Sequence, residues 1–310
     1  MEPSANLHPQ SCFGFAIHSS YPFRFLRRGG GRGVLDVVEC PDEMDVDDGT
    51  LLHEWTIRDP EGGVTARLYG ANGVFRFWTS DAGSYRIDPA AGRIEMSRHP
   101  DVIRREQRLW GVPTALCAKN RGDLVIHGAA VEVDGGAIIL AAPGRFGKTT
   151  LALTFHRAGY RVLTEDTACC SVMPEPLVYP GPTCIRLRPD MFDGEAPAGT
   201  TLAAVRPDRV HLALDVDRQG DGCPVPIRAF VFLRESDETR IERVTPGEAL
   251  PDLWTLTFRF QSDDERRRSF SQLAQMAATV PIWNLYRPLQ VAKLEEVVNR
   301  LVEDLRRTNG

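Results

Sequence analysis

No apolar run in this chain reaches the length of a membrane span. The longest, Ala137–Pro143, falls far short of the ~20 residues that a spanning helix needs, so no membrane partner is expected. The polar opening Met1–His8 has no apolar stretch behind it, which predicts no secretory signal. Paired cysteines are lacking as well. There are seven cysteines, an odd number, and none stands in a Cys-x-x-Cys pair; Cys169 and Cys170 are adjacent. That pattern argues against a disulfide framework or a zinc site and predicts reduced thiols in a cytoplasmic protein. Excess positive charge is missing too. The net charge is −5 and the isoelectric point about 5.9, so a basic face for nucleic acid is not expected, only a local basic pocket. No internal repeat and no low-complexity tract is present.

What is present is ordinary globular composition. Hydrophobic residues make up 42% and charged residues 25%, which excludes a disordered tail protein. At ~150 residues per domain, 310 residues predict about two domains. The first hundred residues read as short strands at Cys12–Ile17, Val34–Val38, Trp55–Ile57, Thr65–Tyr69, Val74–Thr79, Tyr85–Ile87 and Arg93–Met96, separated by glycine-bearing turns. Asn72-Gly73 between two alternating segments is a hairpin signal. A mostly antiparallel β module over residues 1–105 is the expectation.

From Asp101 to Lys119 the apolar period becomes helical, with a kink at Pro113, and residues 106–121 are expected to form a helical connection. Residues 122–310 change character again. Leu124–Ile126 and Ala129–Val133 read as two strands and Ala137–Leu140 as a buried one. A glycine-bearing loop follows, then a helix from about Lys148 to Ala158 closed by Gly159, then a strand at Arg161–Thr164. Strand, loop, helix, strand is the layout of an α/β nucleotide-binding core. Further strands are expected at 212–216, Ile227–Leu233 and Ile241–Val244, and helices at Gly247–Leu256, Asp264–Thr279 and Val291–Leu305.

The segment Ala142-Pro143-Gly144-Arg145-Phe146-Gly147-Lys148-Thr149 matches the P-loop pattern, with alanine in place of its first glycine. Such a loop wraps nucleotide phosphates with backbone N–H groups, and Gly144 and Gly147 supply the dihedral freedom. The helix behind it turns its positive end toward the phosphates. Lys148 would reach the β- and γ-phosphates and Thr149 would offer a hydroxyl to Mg²⁺. Glu165-Asp166 closes the strand Arg161–Thr164, and ligands of open α/β sheets bind beyond the carboxyl ends of strands. One carboxylate there can hold the metal and the other is free for general-base work. Arg186 and Arg188 alternate on a short strand and face phosphate, an acidic substrate or solvent. Arg259, Arg266, Arg267 and Arg268 read as an exposed, salt-bridged helix start. Trp254, Phe258 and Phe260 read as core, and Trp283, Asn284 and Tyr286 as a buried strand.

The run Ile126–Gly135, the P-loop and the run Arg157–Asp166 together resemble the catalytic core of HPr kinase/phosphorylase and its relatives, including the HPr-kinase-related kinases of peptide and natural-product gene clusters, such as those that phosphorylate lasso-peptide precursors. The stretch Tyr179–Leu187 is similar to theirs as well. The resemblance extends along most of the chain and is specific over residues 122–190. It implies an α/β P-loop core of the HPr kinase-like, PEP carboxykinase-like type. It implies nucleotide contacts at Gly144, Arg145, Phe146, Gly147, Lys148, Thr149 and Thr150, and metal at Thr149 and Asp166. It implies Glu165 as base, His127 near the transferring phosphoryl group, and ATP and Mg²⁺ as cofactors. The family has Asp-Asp where this chain has Glu165-Asp166, and its glycine/arginine stretch for phosphorolysis is missing, which points to a one-way kinase. HPr kinases form hexamers, so a homo-oligomer is compatible with the resemblance.

The expected activity is transfer of the γ-phosphate to a hydroxyl, of a serine in a peptide or protein such as a biosynthetic precursor, or of a small natural product. A regulatory NTPase without an acceptor is the alternative, although no water-positioning residue is evident. A pure interaction module fits the N-terminal half alone.

Overall fold

The computed structural model describes residues 9–41, 49–57, 63–215, 219–259 and 262–308. It is a mixed α/β structure with two large sheets and one small one. The first sheet contains β1 (Gln10–Cys12), β2 (Phe15–His18), β3 (Arg27–Arg28), β4 (Gly33–Cys40), β5 (Thr50–Ile57), β6 (Val64–Ala71), β7 (Val74–Thr79), β8 (Gly83–Asp88) and β9 (Arg93–Ser97). Their spatial order is β3-β1-β2-β4-β9-β8-β7-β6-β5. The β2–β4 and β4–β9 pairings are parallel and the others antiparallel. Asn72-Gly73 is the turn between β6 and β7.

The apolar run Cys12–Ile17 is not one strand. Phe13 (φ 49°) and Gly14 (φ 73°) both lie in the left-handed region, and Cys12 pairs with Phe15 across a two-residue turn. A Cβ on Gly14 would stand 2.5 Å from the Tyr179 ring, so glycine is required by space as well as by φ.

Two short helices follow, α1 (Val102–Leu109) and α2 (Val112–Arg121). The break falls at Trp110-Gly111, and Pro113 occupies the first turn of α2, where its missing N–H has no helical partner to lose. Both helices pack on the first sheet through Leu109, Trp110, Ala115 and Leu116.

The second sheet holds β10 (Leu124–Val133), β11 (Gly136–Ala141), β12 (Arg161–Thr164), β13 (Thr167–Ser171) and β14 (Leu177–Tyr179). A small three-stranded sheet follows, of β15 (Cys184–Leu187), β16 (Thr200–Val205) and β17 (Val210–Leu214). The second sheet is completed by β18 (Val225–Glu235), β19 (Arg240–Val244) and β20 (Ile282–Arg287). Four helices cover it: α3 (Lys148–Arg157), α4 (Pro246–Leu256), α5 (Asp263–Thr279) and α6 (Leu294–Thr308). Leu124–Ile126 and Ala129–Val133 are a single strand, β10, running through His127-Gly128. Its two halves change partners: 124–127 pair with β13, and 128–133 with β11.

Both faces of this sheet are buried, which explains its nearly continuous apolar strands. Along β11, Ile138 and Leu140 face α3 and α6, while Ala137, Ile139 and Ala141 face α4 and α5. α6 begins at Leu294, after a short 3-10 turn at Val291–Lys293, and buries Leu294, Val297, Val298, Leu301 and Leu305. All seven cysteines are free thiols. Among the described residues no helix is long and apolar enough to cross a membrane. Phe260 lies outside the described residues.

Candidate active site

Strand direction assembles the site. β11 and β12 are both antiparallel to β10, so they run the same way on either side of it. Their carboxyl ends therefore open at one edge of the sheet. β11 leads into the loop Ala142–Gly147, and β12 leads into Glu165-Asp166. On β10 between them, Gly128 pairs with Ala141 and Ala130 with Thr164, which puts His127 at the same edge. The Gly128 N–H donates to the Asp166 carbonyl at 2.9 Å and fixes the acidic pair against this strand.

The loop ends at Gly147, which adopts φ 74° and caps α3 with no side-chain hydrogen bond. The first-turn amides of α3 thus have no capping oxygen, the condition that favours an anion there. A Cβ at Gly147 would lie 2.7 Å from Nη2 of Arg287, so a side chain there would have to displace that guanidinium and would strain the backbone as well. Arg145 also lies in the left-handed region, at φ 70°, an uncommon conformation for a non-glycine residue. Gly144 and Arg145 are exposed, while Phe146, Gly147, Thr149 and Thr150 are half-buried. Lys148 is buried, and its Nζ donates to the carbonyls of Ala142 (2.8 Å) and Pro143 (3.1 Å). Burial pushes the Lys148 ammonium below its usual range, against the pull of Asp166 and Glu165.

Glu165 is nearly enclosed, at 6% exposure, whereas the Asp166 side chain is 43% exposed. The Thr149 hydroxyl donates to Glu165 Oε1. Arg186 spans the pair, with Nε 2.8 Å from Glu165 Oε2 and Nη2 2.9 Å from Asp166 Oδ2. His127 Nδ1 stands 3.5 Å from Asp166 Oδ1. Desolvation by the surrounding protein opposes ionisation of the half-buried Asp166, but the Arg186 guanidinium, helped by His127 and Lys148, holds its carboxyl at about 2. Burial likewise opposes the charge on Arg186, and Glu165 and Asp166 more than offset it, raising its pKa.

The structure thus brings Lys148, Thr149, Glu165, Asp166 and His127 to one edge. Two further arginines belong there. Arg186 was one of two candidates on its strand; Arg188 instead lies beyond the strand end and pairs with Asp190. An arginine inside the apolar run Cys184-Ile185-Arg186-Leu187 is the signal that separates them. Arg287, at the end of β20, gave no sequence signal. It is buried and donates from Nη2 to the Phe146 carbonyl at 2.7 Å, bracing the loop from behind. Arg266 and Arg267 pair with Asp263 and Asp264 at the exposed start of α5.

The donor chemistry fits a magnesium nucleotide. Mg²⁺ is usually bound by one or two carboxylates together with substrate phosphates and water, not by a protein cage. No cluster of three or more His, Cys, Asp or Glu suited to a metal occurs among the described residues. Thr149 and the two carboxylates are the oxygens available beside the loop.

No family model matches this chain, and no curated protein matches it. Among solved structures, the HPr(Ser) kinase/phosphatase from Coxiella burnetii matches with 11% sequence identity and a TM-score of 0.33, over 60% of this chain and 99% of that one. A likeness of that size is silent on chemistry, and the functional reading rests on the site itself.

Proposed function

We propose that the protein is an ATP- and Mg²⁺-dependent phosphotransferase that moves the γ-phosphate to a hydroxyl, that of a serine in a peptide or protein. The observation that carries this reading is the Thr149–Glu165 hydrogen bond at the end of an uncapped, glycine-led helix, with a second carboxylate, Asp166, left open beside it. A phosphate site with a metal-side oxygen pair and a spare carboxylate is what phosphoryl transfer to a hydroxyl needs.

Mg²⁺ would be held by Thr149 and Glu165 and would neutralise charge on the phosphates. The loop amides and Lys148 would hold the β- and γ-phosphates, and Lys148 would leave its two carbonyl partners to do so. Asp166 would accept the acceptor's proton, with His127 beside it. This division of the two carboxylates is the reverse of the one the resemblance implies. It is supported by the bond from Thr149 to Glu165 and by the greater openness of Asp166. Arg186 orients both carboxylates through its ion pairs and favours the ionised form of Asp166.

A small hydroxylated compound is the second reading. It is favoured by a cavity of about 420 Å³ that reaches Glu165 and Asp166. The test is incubation with γ-labelled ATP and candidate acceptors, comparing wild type with Lys148→Ala, Glu165→Gln and Asp166→Asn. Acceptor labelling lost in all three supports the assignment. Labelling that survives in all three overturns it, and release of free phosphate alone with every acceptor favours an NTPase.

A further inference from the structure

The cavity beside the acidic pair is built by both large sheets. Phe25 lies beside the short β3 strand and Phe77 on β7; Trp110 and Val112 flank the α1–α2 break, and Phe258 follows α4. Its far wall is His127, Glu165, Asp166 and Arg186. Its volume, about 420 Å³, falls within the 300–1,000 Å³ typical of small-ligand sites, and is well above the ~150 Å³ that accommodates benzene.

Both arginines, the indole and the amide in its wall are already engaged. Arg108 is held by Asp81 at 2.7 Å, and Arg186 by Glu165 and Asp166. The Trp110 indole N–H donates to Glu106 at 3.2 Å, and Gln107 Oε1 is 2.9 Å from His211 Nε2. Neither arginine of the wall stands free to receive a carboxylate or phosphate, and the aromatic surface rewards apolar contact.

We infer that the acceptor seats an uncharged, bulky apolar or aromatic group in this cavity and presents its hydroxyl to Asp166 at the wall. This rests on the phosphotransferase reading and adds the substrate's chemistry to it. It also gives the first sheet a role, since Phe77 on β7 and the nearby Phe25 line the cavity. The same chemistry has two sources, an aromatic residue flanking a serine in a peptide or a small apolar alcohol.

The test uses the full chain and two probes sharing one ring system, 2-naphthaleneethanol and 2-naphthaleneacetate. Binding is followed by calorimetry and by quenching of tryptophan fluorescence. The expected result is that the alcohol binds at least tenfold more tightly than the carboxylate. Val112→Phe, which narrows the cavity from a half-buried position, should weaken alcohol binding at least tenfold. Leu256→Phe fills it from another lining residue, at the end of α4, and serves if the first variant is unfolded by circular dichroism.

With labelled ATP, an acetylated Phe-Ser amide should be phosphorylated at least tenfold faster than its Glu-Ser counterpart if the source is a peptide. Preferential labelling of the naphthyl alcohol identifies a small molecule. Equal binding of alcohol and carboxylate, or binding indifferent to both cavity-filling variants, overturns the cavity assignment while Lys148-dependent transfer still upholds the kinase. Alcohol binding without transfer to any acceptor overturns the kinase reading and, with it, the acceptor role of the cavity.

Discussion

Arg27 donates from Nη2 to the carbonyl of Leu163 at 2.9 Å, which ties the first sheet to the strand that ends in the acidic pair. The same guanidinium also reaches the carbonyls of Val162 (2.7 Å), Gly181 (2.9 Å) and Gln219 (2.8 Å). It is fully buried, and these partners are all neutral. Burial pushes its pKa down to about 9, and Arg161 adds to that, against smaller opposing pulls from Cys12 and Glu132, so it stays charged at neutral pH. Arg27 is therefore a positioning residue: it sets β12 without touching the reacting groups.

Arg27→Met should leave several buried carbonyls without donors. An unsatisfied buried group costs about 1–3 kcal/mol, so a loss of about 3 kcal/mol or more is expected in denaturant unfolding. Arg27→Lys, with one compact ammonium for four acceptors, should recover only part. In the lysine variant kcat should fall while KM for ATP stays within twofold, because the loop is anchored on β11 and not on β12.

The two carboxylates should respond differently to neutralisation. Glu165→Gln should shift the Mg²⁺ titration of activity to higher concentration, as expected for the oxygen bonded to Thr149. Asp166→Asn should lower kcat about 10²-fold or more at saturating Mg²⁺ without moving that titration. The opposite pattern returns the base to Glu165. Because Arg186 holds Asp166 at about 2, the acid limb of wild-type activity should not come from this group above pH 4.

Two glycines of one loop should part company. Gly147→Ala places a Cβ against Arg287 at φ 74° and should cost about 1–2 kcal/mol from the left-handed backbone alone. It should also displace Arg287 from Phe146 and raise KM for ATP at least tenfold. Gly144 has open space around it and no positive φ, so Gly144→Ala should leave the melting temperature unchanged. Thermal melts with and without ATP separate the two effects.

How much of this was legible followed from the range of each interaction. The loop, its strand and its helix are contiguous, and the periods of Ala137–Leu140 and Lys148–Ala158 located them to within a residue or two. Glu165-Asp166 was legible because a strand end is a local signal. Arg287 was not: its partner Phe146 lies 141 positions away, and only the parallel alignment of β11, β18 and β20 brings them together. The hairpin inside Cys12–Ile17 was hidden because an apolar turn carries no polar turn chemistry; Gly14 was its only mark. The continuity of β10 through His127-Gly128 was hidden by the glycine, which ordinarily punctuates a strand.

His211 provides a test of the ground behind Arg186. It is completely buried on β17, opposite Arg186 on β15. Its Nε2 is 2.9 Å from Gln107 Oε1, so the neutral ring donates there. Its Nδ1 has no hydrogen-bond partner among the described residues. A second ring proton would be buried without an acceptor and would face Arg186, Arg104 and Arg206, with Asp208 the only opposing charge among the groups that shift it. Burial, then Arg186 and Arg104, push its pKa from 6.5 to about 4. The sign follows. Between those values the unfolded chain takes up a proton that the folded one refuses, so stability is complete above pH 6.5 and declines as pH falls toward 4. The full shift corresponds to about 3 kcal/mol. His211→Gln should remove this dependence, flattening stability between pH 6.5 and 4 in urea titrations of wild type and variant side by side. Parallel curves for the two proteins would mean that His211 titrates normally and that the small sheet opens to water.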